Sequence, residues 1–387
     1  MFKKKVCIVG MGPAGLMAGT VFLERGFEVH FFEQNKAAGR KFLVAGHGGF
    51  NLTHSEEFES FTQKYNHSFI QSAFKQFDNN QWIAFLKKVN VETFVGSSGK
   101  IFPLKGIKPI EVLTNWLDYI LSLGATVHNF HQLIDFDERE VKFSHKDIET
   151  IHQFDHLVLA IGGASWKKTG SSGEWKQLLV SKEIECIDFK SSNSGLNIEN
   201  WDKISELEGQ ILKNCTTSFG EYSKKGDVIL SNYGVEGTPI YHLNKAVREN
   251  PTGFLSIDLK PTKSKEEILE ILLTAKNITD GLKKCKLSKT AIQLLKKWTT
   301  KEEYSSASTL ANSVKEMRLH PHSFRPIDEV ISTIGGVSMN AITENFTLKK
   351  FPSISVCGEM LDWDAPTGGY LIQGCVSSGY VVGKNGI

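Results

Sequence analysis

Near the start of the chain stands Val6-Cys7-Ile8-Val9-Gly10-Met11-Gly12-Pro13-Ala14-Gly15, in which four apolar residues precede a Gly-x-Gly-x-x-Gly pattern. The apolar run predicts a buried parallel strand, and the largely apolar residues that follow, to about Arg25, predict a helix. In such a strand–turn–helix unit Gly10 permits the tight turn, Gly12 lets the backbone approach a diphosphate, and Gly15 lets the helix pack closely on the sheet. Free N–H groups and the dipole at the helix start stabilise the diphosphate charge. The pattern therefore predicts dinucleotide binding.

A second predicted strand, residues 27–32, ends at Glu33, which stands 18 residues after Gly15. This spacing is close to the roughly 20 residues that separate the glycine pattern from the ribose-binding acid in dinucleotide-binding folds. A carboxylate there accepts hydrogen bonds from the ribose hydroxyls and repels a 2′-phosphate. Without this context the pattern would indicate only a glycine-rich helix start. Strand, helix, second strand and acid together predict an α/β fold with a doubly wound, Rossmann-like parallel sheet.

Two later segments carry charges and glycines that suit a bound dinucleotide. The loop after Glu33 places Arg40 and Lys41 where they either hold phosphate or ribose, or form a solvated pair on a surface turn. A predicted buried strand that begins at His156 ends in Gly162-Gly163. In a doubly wound sheet such an ending brings backbone beside the cofactor, although an ordinary strand exit has the same composition.

The C-terminal part repeats the arrangement of strand, acid and helix. A predicted strand at residues 354–356 precedes Glu359 and Asp362, and Thr367-Gly368-Gly369-Tyr370 leads into an apolar helix. Either carboxylate could accept hydrogen bonds from ribityl hydroxyls, and N–H groups at the helix start could stabilise negative charge on a reduced flavin. The alternative is a simple helix start with Thr367 as the N-cap.

Together these motifs resemble a known family. Residues 12–16, 39–54, 159–165, 226–239 and 358–370 are similar, and in the same order, to those of the FAD-dependent flavoproteins that include aminoacetone oxidase and a bile-acid 3-dehydro-4,6-reductase. The resemblance covers nearly the whole chain and implies FAD as the cofactor. It also implies that the FAD-binding domain is split by an insertion.

One loop departs from the family pattern. Much of the family has Gly-Gly-Gly-Arg-Cys-Asn, whereas this chain has Gly46-His47-Gly48-Gly49-Phe50-Asn51, so that Gly49-Phe50 replaces the Arg-Cys pair. The chain is more similar to an uncharacterised branch of the family that shares its Gly-Glu-Met-Leu-Asp-Trp and Ala-Pro-Thr-Gly-Gly-Tyr ending. Neither known activity therefore follows from the resemblance alone.

The insertion is also indicated by turn signals at residues 191–195 and at Arg325-Pro326. Alternating apolar residues within it predict a small β-barrel, and apolar residues at helical spacing between 263 and 315 predict a nested helical subdomain. The expected divisions are 1–190 and 331–387 for the two parts of the FAD-binding domain, 191–260 for the barrel, 261–318 for the helical subdomain and 319–330 for the return segment.

Charge and cysteine content limit the classes of function. Lys plus Arg number 45 and Asp plus Glu 43, and this net charge of +2 argues against a nucleic-acid partner. The lysines of the helical subdomain are interpreted as a solvated face. The six cysteines form no Cys-x-x-Cys pair, which excludes a disulfide reductase and a zinc site and is typical of a reduced, cytoplasmic protein. We expect no membrane partner and no metal.

The leading hypothesis is an FAD-dependent oxidoreductase in which a small organic substrate passes hydride to flavin N5. Electrons then pass to O2, as in an amine oxidase, or to another acceptor. The alternative is a reductase that uses NAD(P)H, without a second dinucleotide fingerprint, to saturate an enone-like carbon–carbon double bond. From other classes, a flavin-binding RNA-modifying protein and a non-catalytic flavin-binding protein stay open, as do the oligomeric state and the electron partner.

The sequence does not determine the catalytic acid or base. The candidates are His47, Asn51, His54 and Tyr370, since an imidazole moves protons near neutral pH and an aromatic ring can form a pocket wall. The predicted cofactor contacts are Gly10, Gly12, Pro13, Ala14, Gly15, Glu33, Gly39, Arg40, Lys41, Gly48, Asn51, Leu133, Ala160, Gly162, Gly163, Gly358, Glu359, Asp362, Thr367, Gly368, Gly369 and Tyr370.

Overall fold

The computed structural model describes residues 3–44 and 49–387. The chain divides into two compact units, one formed by Met1–Lys190 with Ile331–Ile387 and the other by Ser191–Val330. Each unit is built around a hydrophobic core of its own.

Among the described residues, strands and helices alternate along the first unit. In the second unit, most strands and most helices lie in separate stretches of the chain. The strands are β1 Lys5–Val9, β2 Glu28–Glu33, β3 Thr53–His54, β4 Thr93–Val95, β5 Lys100–Pro103, β6 Thr126–Asn129, β7 His131–Phe136, β8 Glu140–His145, β9 Ile148–Gln153, β10 His156–Leu159, β11 Cys186–Ser192, β12 Leu196–Ile198, β13 Ile211–Phe219, β14 Tyr222–Ser231, β15 Gly234–Glu236, β16 Leu255–Asp258, β17 Met317–Leu319, β18 Pro321–Phe324, β19 Ser332–Val337 and β20 Ile354–Val356. The α-helices are α1 Pro13–Glu24, α2 Arg40–Val44, α3 Phe58–Thr62, α4 Ser68–Gln76, α5 Asn79–Lys88, α6 Pro109–Ser122, α7 Trp175–Ser181, α8 Thr238–His242, α9 Asn244–Glu249, α10 Lys265–Thr274, α11 Ile278–Lys284, α12 Lys289–Trp298, α13 Lys301–Ser305, α14 Ala307–Lys315 and α15 Tyr370–Asn385.

The parallel sheet of the first unit has the strand order β20-β10-β1-β2-β6. β1 and β10 are almost entirely buried because both of their faces are apolar and covered. The order runs outward from β1 in both directions, so the carboxyl ends of β1 and β10 flank the kind of crevice in which doubly wound sheets bind ligands. The predicted α/β class with a parallel sheet is confirmed.

Helices α1 and α15 pack against each other beside this sheet. A Cβ at Gly379 of α15 would lie 2.3 Å from the carbonyl oxygen of Ala14, so only glycine permits this approach. At the other end of the pair, Arg25 Nη1 donates hydrogen bonds to the carbonyls of Gly383 and Gly386. The C-terminal helix is thereby fixed to the helix that follows the glycine pattern.

The aromatic-rich segment at residues 56–90 forms three helices, α3, α4 and α5, where the spacing of its aromatic residues predicts two. His67 and Asp78 interrupt the helical run, because their side chains accept hydrogen bonds from the N–H groups of Phe69 and Gln81 and so start new helices. Aromatic residues at helical spacing usually belong to the core, and most of these side chains do. Phe61, Phe74 and Trp82, among others, are fully buried.

The second unit contains an antiparallel sheet in the order β17-β16-β13-β14-β15-β12-β18. Its two end strands are consecutive in the chain and are separated only by His320. Because β17 pairs with β16 and β18 pairs with β12, one short segment of the chain supplies both end strands of the sheet. The barrel itself stays a prediction.

The helical part of the second unit comprises α10 to α14, and each of these five helices starts at a residue that the sequence marks as a cap. In each case the side-chain oxygen of a Ser, Thr or Asn accepts a hydrogen bond from an N–H of the first turn. The caps are Ser264, Asn277, Ser288, Thr300 and Ser306.

Candidate functional site

A cavity of about 330 Å³ opens in the first unit at the carboxyl ends of β1, β2, β10 and β20. It lies where the strand order reverses, which is the ligand site expected for this sheet topology. Of the predicted cofactor contacts, the following line it: Gly10, Gly12, Pro13, Ala14, Glu33, Gly39, Arg40, Lys41, Leu133, Ala160, Gly162, Gly358 and Glu359.

Two of the three glycines that precede and open α1 are required by the fold of the protein itself. Gly10 has a φ of +96° and a Cβ there would lie 2.4 Å from the Ala160 carbonyl oxygen, while a Cβ at Gly15 would lie 2.1 Å from the Gly10 oxygen. Gly12 differs, because its φ of −82° suits any residue and a Cβ there would contact nothing within 4 Å. Neither backbone nor packing in the protein itself requires glycine at this position.

The start of α1 is therefore an open recess. Gly12 is the N-cap residue and supplies no side-chain cap to the helix. The first N–H groups of the helix thus face the cavity with the positive end of the dipole. Space, N–H donors and dipole are the features that a bound diphosphate requires, so the residues present fit the diphosphate of a dinucleotide.

Glu33 at the end of β2 is held in a fixed position beside this recess. Its carboxylate is 8% exposed and accepts hydrogen bonds from the N–H of Met11 (3.3 Å) and from the N–H and Nδ2 of Asn35 (2.9 and 2.8 Å). A carboxylate has further acceptor positions, so it can still bind ribose hydroxyls. Arg40 Nη1 donates to Asn35 Oδ1 (2.6 Å), which ties the exposed Arg40 to the same corner.

A buried ion pair joins the two sequence segments at the opposite wall. Lys41 Nζ lies 2.8 and 2.6 Å from the two carboxylate oxygens of Glu359 and 2.7 Å from Ser165 Oγ. The N–H of Thr333 also donates to Glu359 Oε1 (3.3 Å). A Cβ at Gly163 would lie 3.1 Å from the Glu359 carboxyl carbon, so this glycine makes room for the pair. Lys41 and Glu359 are predicted separately from the sequence. Their pairing, the acceptor Ser165 Oγ and the donor N–H of Thr333 are not predicted.

The remaining described residues from the predicted set lie outside the cavity lining. Gly15 and Gly163 act in packing, and Asp362 accepts a hydrogen bond from the N–H of Gly335 (2.9 Å). Gly369 and Tyr370 lie against Thr53 and His54 at the start of α15. The other predicted contacts, Asn51, Thr367 and Gly368, are close to these residues in the sequence. His47 and Gly48 lie outside the described residues.

The start of α15 has a different cap from the one that the sequence indicates. Gly369, with a φ of +97°, is the N-cap residue and no side chain caps the helix, so the alternative in which Thr367 is the cap is wrong. A Cβ at Gly369 would lie 2.5 Å from the Cα of Thr53. This close approach brings the backbone of residues 51–54 against the helix start, and Thr53 Oγ1 donates to the buried Gln373 Oε1 (2.8 Å).

Two catalytic candidates, His54 and Tyr370, stack on each other at this contact, with ring centroids 5.3 Å apart. His54 Nδ1 accepts from the N–H of Glu56, so its Nε2 carries the proton and donates to the Ser98 carbonyl (both 3.0 Å). Burial lowers the pKa of His54, which keeps the ring neutral. Both ring nitrogens are therefore bound to backbone groups.

Tyr370 is 5% exposed, and its hydroxyl donates to Glu56 Oε2 (2.8 Å). Burial first, and then this hydrogen bond, raise the pKa of the phenol well above its usual value. The phenol is accordingly protonated throughout the physiological range. Lys64 lies 3.4 Å from Glu56 Oε1 and balances its charge.

Some cavity residues carry no motif that sequence analysis can detect. His131, Trp175 and Cys375 line the cavity, and Trp175 Nε1 donates to the Gly162 carbonyl (3.0 Å). Burial raises the pKa of the Cys375 thiol to about 12, so it is neutral and a poor nucleophile. The only signal for this wall is the glycine–serine run after the predicted strand at residues 156–159.

No His, Cys, Asp or Glu side chains in residues 3–44 and 49–387 gather in a group of three or more that could hold a metal ion. In that same part of the chain, every helix is too short or too polar to cross a membrane.

Comparison with known proteins gives full-length matches. A curated "ribosomal RNA dihydrouridine synthase" of Haemophilus influenzae is 24% identical over 388 residues, covering 96% of each chain. A curated "3-dehydro-bile acid delta(4,6)-reductase" of Clostridium scindens is 21% identical over 420 residues, covering 98% of each chain.

Solved structures show the same fold at low identity. The open conformation of a flavocytochrome c3 fumarate reductase matches with a TM-score of 0.51 and 14% identity, over 99% of this chain and 78% of that one. A 3-ketosteroid-delta4-(5alpha)-dehydrogenase from Rhodococcus jostii RHA1 matches with a TM-score of 0.50 and 11% identity, over 99% and 96%.

The family model described as "HI0933-like protein Rossmann domain" matches residues 4–385. The resemblance inferred from the motifs is thereby confirmed, as is FAD as the cofactor that it implies. The chain belongs to the HI0933-like Rossmann-domain family and is an FAD-dependent oxidoreductase.

Proposed function

We propose that the protein is a reductase that saturates a carbon–carbon double bond conjugated to a carbonyl group, with electrons supplied by NAD(P)H. We infer the direction of the reaction from two full-length relatives, because their different names both describe the reduction of a conjugated double bond. A dihydrouridine synthase saturates the 5,6 double bond of uracil, and a delta(4,6)-reductase of a 3-dehydro bile acid saturates ring double bonds conjugated to a ketone. Both bonds accept hydride at the carbon remote from the carbonyl.

The cavity residues are proposed to hold FAD in one extended orientation. The recess at Gly12 and the start of α1 would bind the diphosphate, and Glu33 would accept hydrogen bonds from the adenosine ribose. Glu359 lies at the opposite wall, where its carboxylate would accept from ribityl hydroxyls while Lys41 balances its charge. When bound, FAD supplies a hydride at flavin N5.

Saturation of the double bond also needs a proton at the carbon next to the carbonyl. His54 has both ring nitrogens occupied by backbone groups, so it has no free position for substrate. The hydroxyl proton of Tyr370 is likewise already donated to Glu56, and burial together with this hydrogen bond raises the pKa of the phenol, so that it releases a proton less readily. We therefore assign neither side chain as the donor, and the proton comes from solvent.

The experiment is a product assay without oxygen. FAD-loaded protein, NAD(P)H and a conjugated cyclic enone are mixed, and saturated product and oxidised NAD(P)H are quantified. The proposal expects one saturated product for each NAD(P)H oxidised, and no peroxide when oxygen is later admitted with the enone in excess. It fails when NAD(P)H leaves the flavin oxidised while an amine or hydroxy acid bleaches it, because the leading sequence hypothesis of substrate oxidation then holds.

A further inference from the structure

The charge of this chain is distributed unevenly. Residues 276–297 contain seven lysines and one acidic residue, Asp280, whereas the whole chain has 45 basic and 43 acidic residues. The rest of the chain is therefore net acidic by four charges. The near-neutral net charge of the whole chain argues against a nucleic-acid partner. It nevertheless includes one strongly basic segment within the second unit.

This segment folds into two helices joined by a short turn, α11 and α12. Leu282, Cys285, Leu294 and Leu295 are buried, so the apolar faces of both helices point into the core of the unit. Lysines between these positions are thereby placed on the outside. The fold, rather than composition alone, gathers the positive charge at the turn.

We name as the turn surface the lysines Lys260, Lys283, Lys286 and Lys289. The last three are exposed and flank the turn between α11 and α12. Lys260 follows β16, and its Nζ lies 3.4 Å from the Lys286 carbonyl oxygen, which brings its ammonium group to the backbone of the turn. The surface therefore combines two separate parts of the sequence.

The positive charge of the turn surface is not neutralised within the unit. Asp280 pairs with Lys284 (3.0 Å), and Asp258 pairs with Lys315 (2.7 Å), so both nearby aspartates already have a lysine. Among the residues that the structure describes, no carboxylate forms an ion pair with a lysine of the turn surface. Like charges on the same surface repel one another, and a bound external anion would relieve that repulsion.

We propose that the turn surface is a docking site for the phosphate backbone of RNA. Lysine is a point charge that contacts phosphate without reading the base, so such a surface contributes affinity and orientation rather than sequence recognition. The cores of protein–protein interfaces are depleted of lysine and rich in aromatic residues. The turn surface consists of lysines and has no aromatic residue, so a protein partner is disfavoured. The choice of RNA rests on the proposed function, since uridine in RNA contains a conjugated double bond of the proposed kind.

The test measures binding of the FAD-loaded protein to a short fluorescein-labelled RNA hairpin by anisotropy, at salt concentrations from about 50 to 200 mM. The triple variant Lys283→Gln, Lys286→Gln and Lys289→Gln should bind about tenfold more weakly or worse, with a salt slope reduced by about 2 to 3. The matched control removes three exposed lysines of the first unit, Lys75→Gln, Lys87→Gln and Lys105→Gln. The control should stay within about twofold of the parent protein.

FAD content and the thermal midpoint of both variants are measured first, and we expect them to equal those of the parent protein because all six side chains are exposed. Polyglutamate and polyuridylate are then compared as competitors. The proposal is overturned by a parent protein that does not bind the hairpin, by equal binding of the triple variant, or by displacement with polyglutamate. RNA binding without any reduced double bond would leave the docking surface in place and refute the proposed function instead.

Discussion

Lys41 and Glu359 stand 318 residues apart in the chain, yet the Lys41 ammonium lies within 2.8 Å of both carboxylate oxygens of Glu359. One residue follows the glycine-containing loop after β2 and the other follows β20. The pair thus connects the N-terminal and C-terminal parts of the first unit at the wall of its cavity. Its side chains are 24% and 9% exposed, so removing one partner leaves a poorly solvated charge.

Replacement of Lys41 by Met should destabilise the FAD-free protein by about 2 kcal/mol, because Glu359 would keep only neutral partners. Urea unfolding provides the measurement. The control is Lys88→Met, which removes the pair with Glu24, whose side chains are 51% and 35% exposed. That change should cost less than about 1 kcal/mol. Equal losses in the two variants would contradict the structural role of the buried pair.

The recess at Gly12 predicts a separation of binding from stability. Gly12→Ala should leave the stability of the FAD-free protein within about 1 kcal/mol, since its Cβ meets open space, but lower FAD affinity about tenfold or more because the methyl group occupies the diphosphate position. Gly15→Ala should instead destabilise the fold by about 2 kcal/mol, because its Cβ would overlap the Gly10 carbonyl. Fluorescence titration with FAD and urea unfolding distinguish the two. Unchanged FAD affinity in the Gly12 variant would place the diphosphate elsewhere.

Removal of the Tyr370 hydroxyl tests whether the proton comes from solvent. Tyr370→Phe keeps the buried ring and should retain FAD and reductase turnover, with a kcat within about twofold of the parent value, because the hydroxyl is already bonded to Glu56. The exposed Tyr222→Phe is the matched control. A fall in kcat of about 10²-fold or more, with little change in KM and FAD content, would make the Tyr370 hydroxyl the proton donor instead.

Acid stability should depend on His156, which lies on β10 with its Nε2 3.0 Å from Ser355 Oγ. Burial lowers the pKa of His156 from 6.5 to about 4. Between these values the unfolded chain binds a proton that the folded protein does not, so stability is lost as pH falls from about 6.5 to about 4. His156→Gln should recover about 2 to 3 kcal/mol of that loss, measured by urea unfolding at both ends of the range.

The exposed His320→Gln serves as the control for this pH dependence. It should leave the difference between the two pH values unchanged. An identical acid loss in the His156 variant would show that other groups determine the pH dependence.

Features that depend on neighbouring residues could be predicted from the sequence. The strand, glycine turn, helix and acid from Val6 to Glu33 lie within one continuous segment, so their spacing alone places Gly12 and Glu33 in the fold. The helices α10 to α14 are indicated in the same way, since a Ser, Thr or Asn marks the start of each. Local hydrogen bonds and periodic burial determine these elements.

Features that depend on distant contacts could not be predicted from the sequence. The Lys41–Glu359 pair requires knowledge that β20 lies beside β10, which no spacing within either segment reveals. The start of α15 is set by the approach of Gly369 to Thr53, whereas the sequence suggests Thr367 as a cap. In the second unit, the unpaired charge of the turn surface becomes visible only when Lys260 is placed beside Lys286.

The most direct test of the proposed function follows the oxidation state of the flavin itself. FAD-loaded protein is reduced chemically under argon, and a conjugated cyclic enone is added in a single turnover. The proposal predicts that the flavin returns to the oxidised form as the saturated product appears in equal amount. Flavin that stays reduced with the enone, but is bleached from its oxidised form by an amine, would contradict the assignment of a reductase.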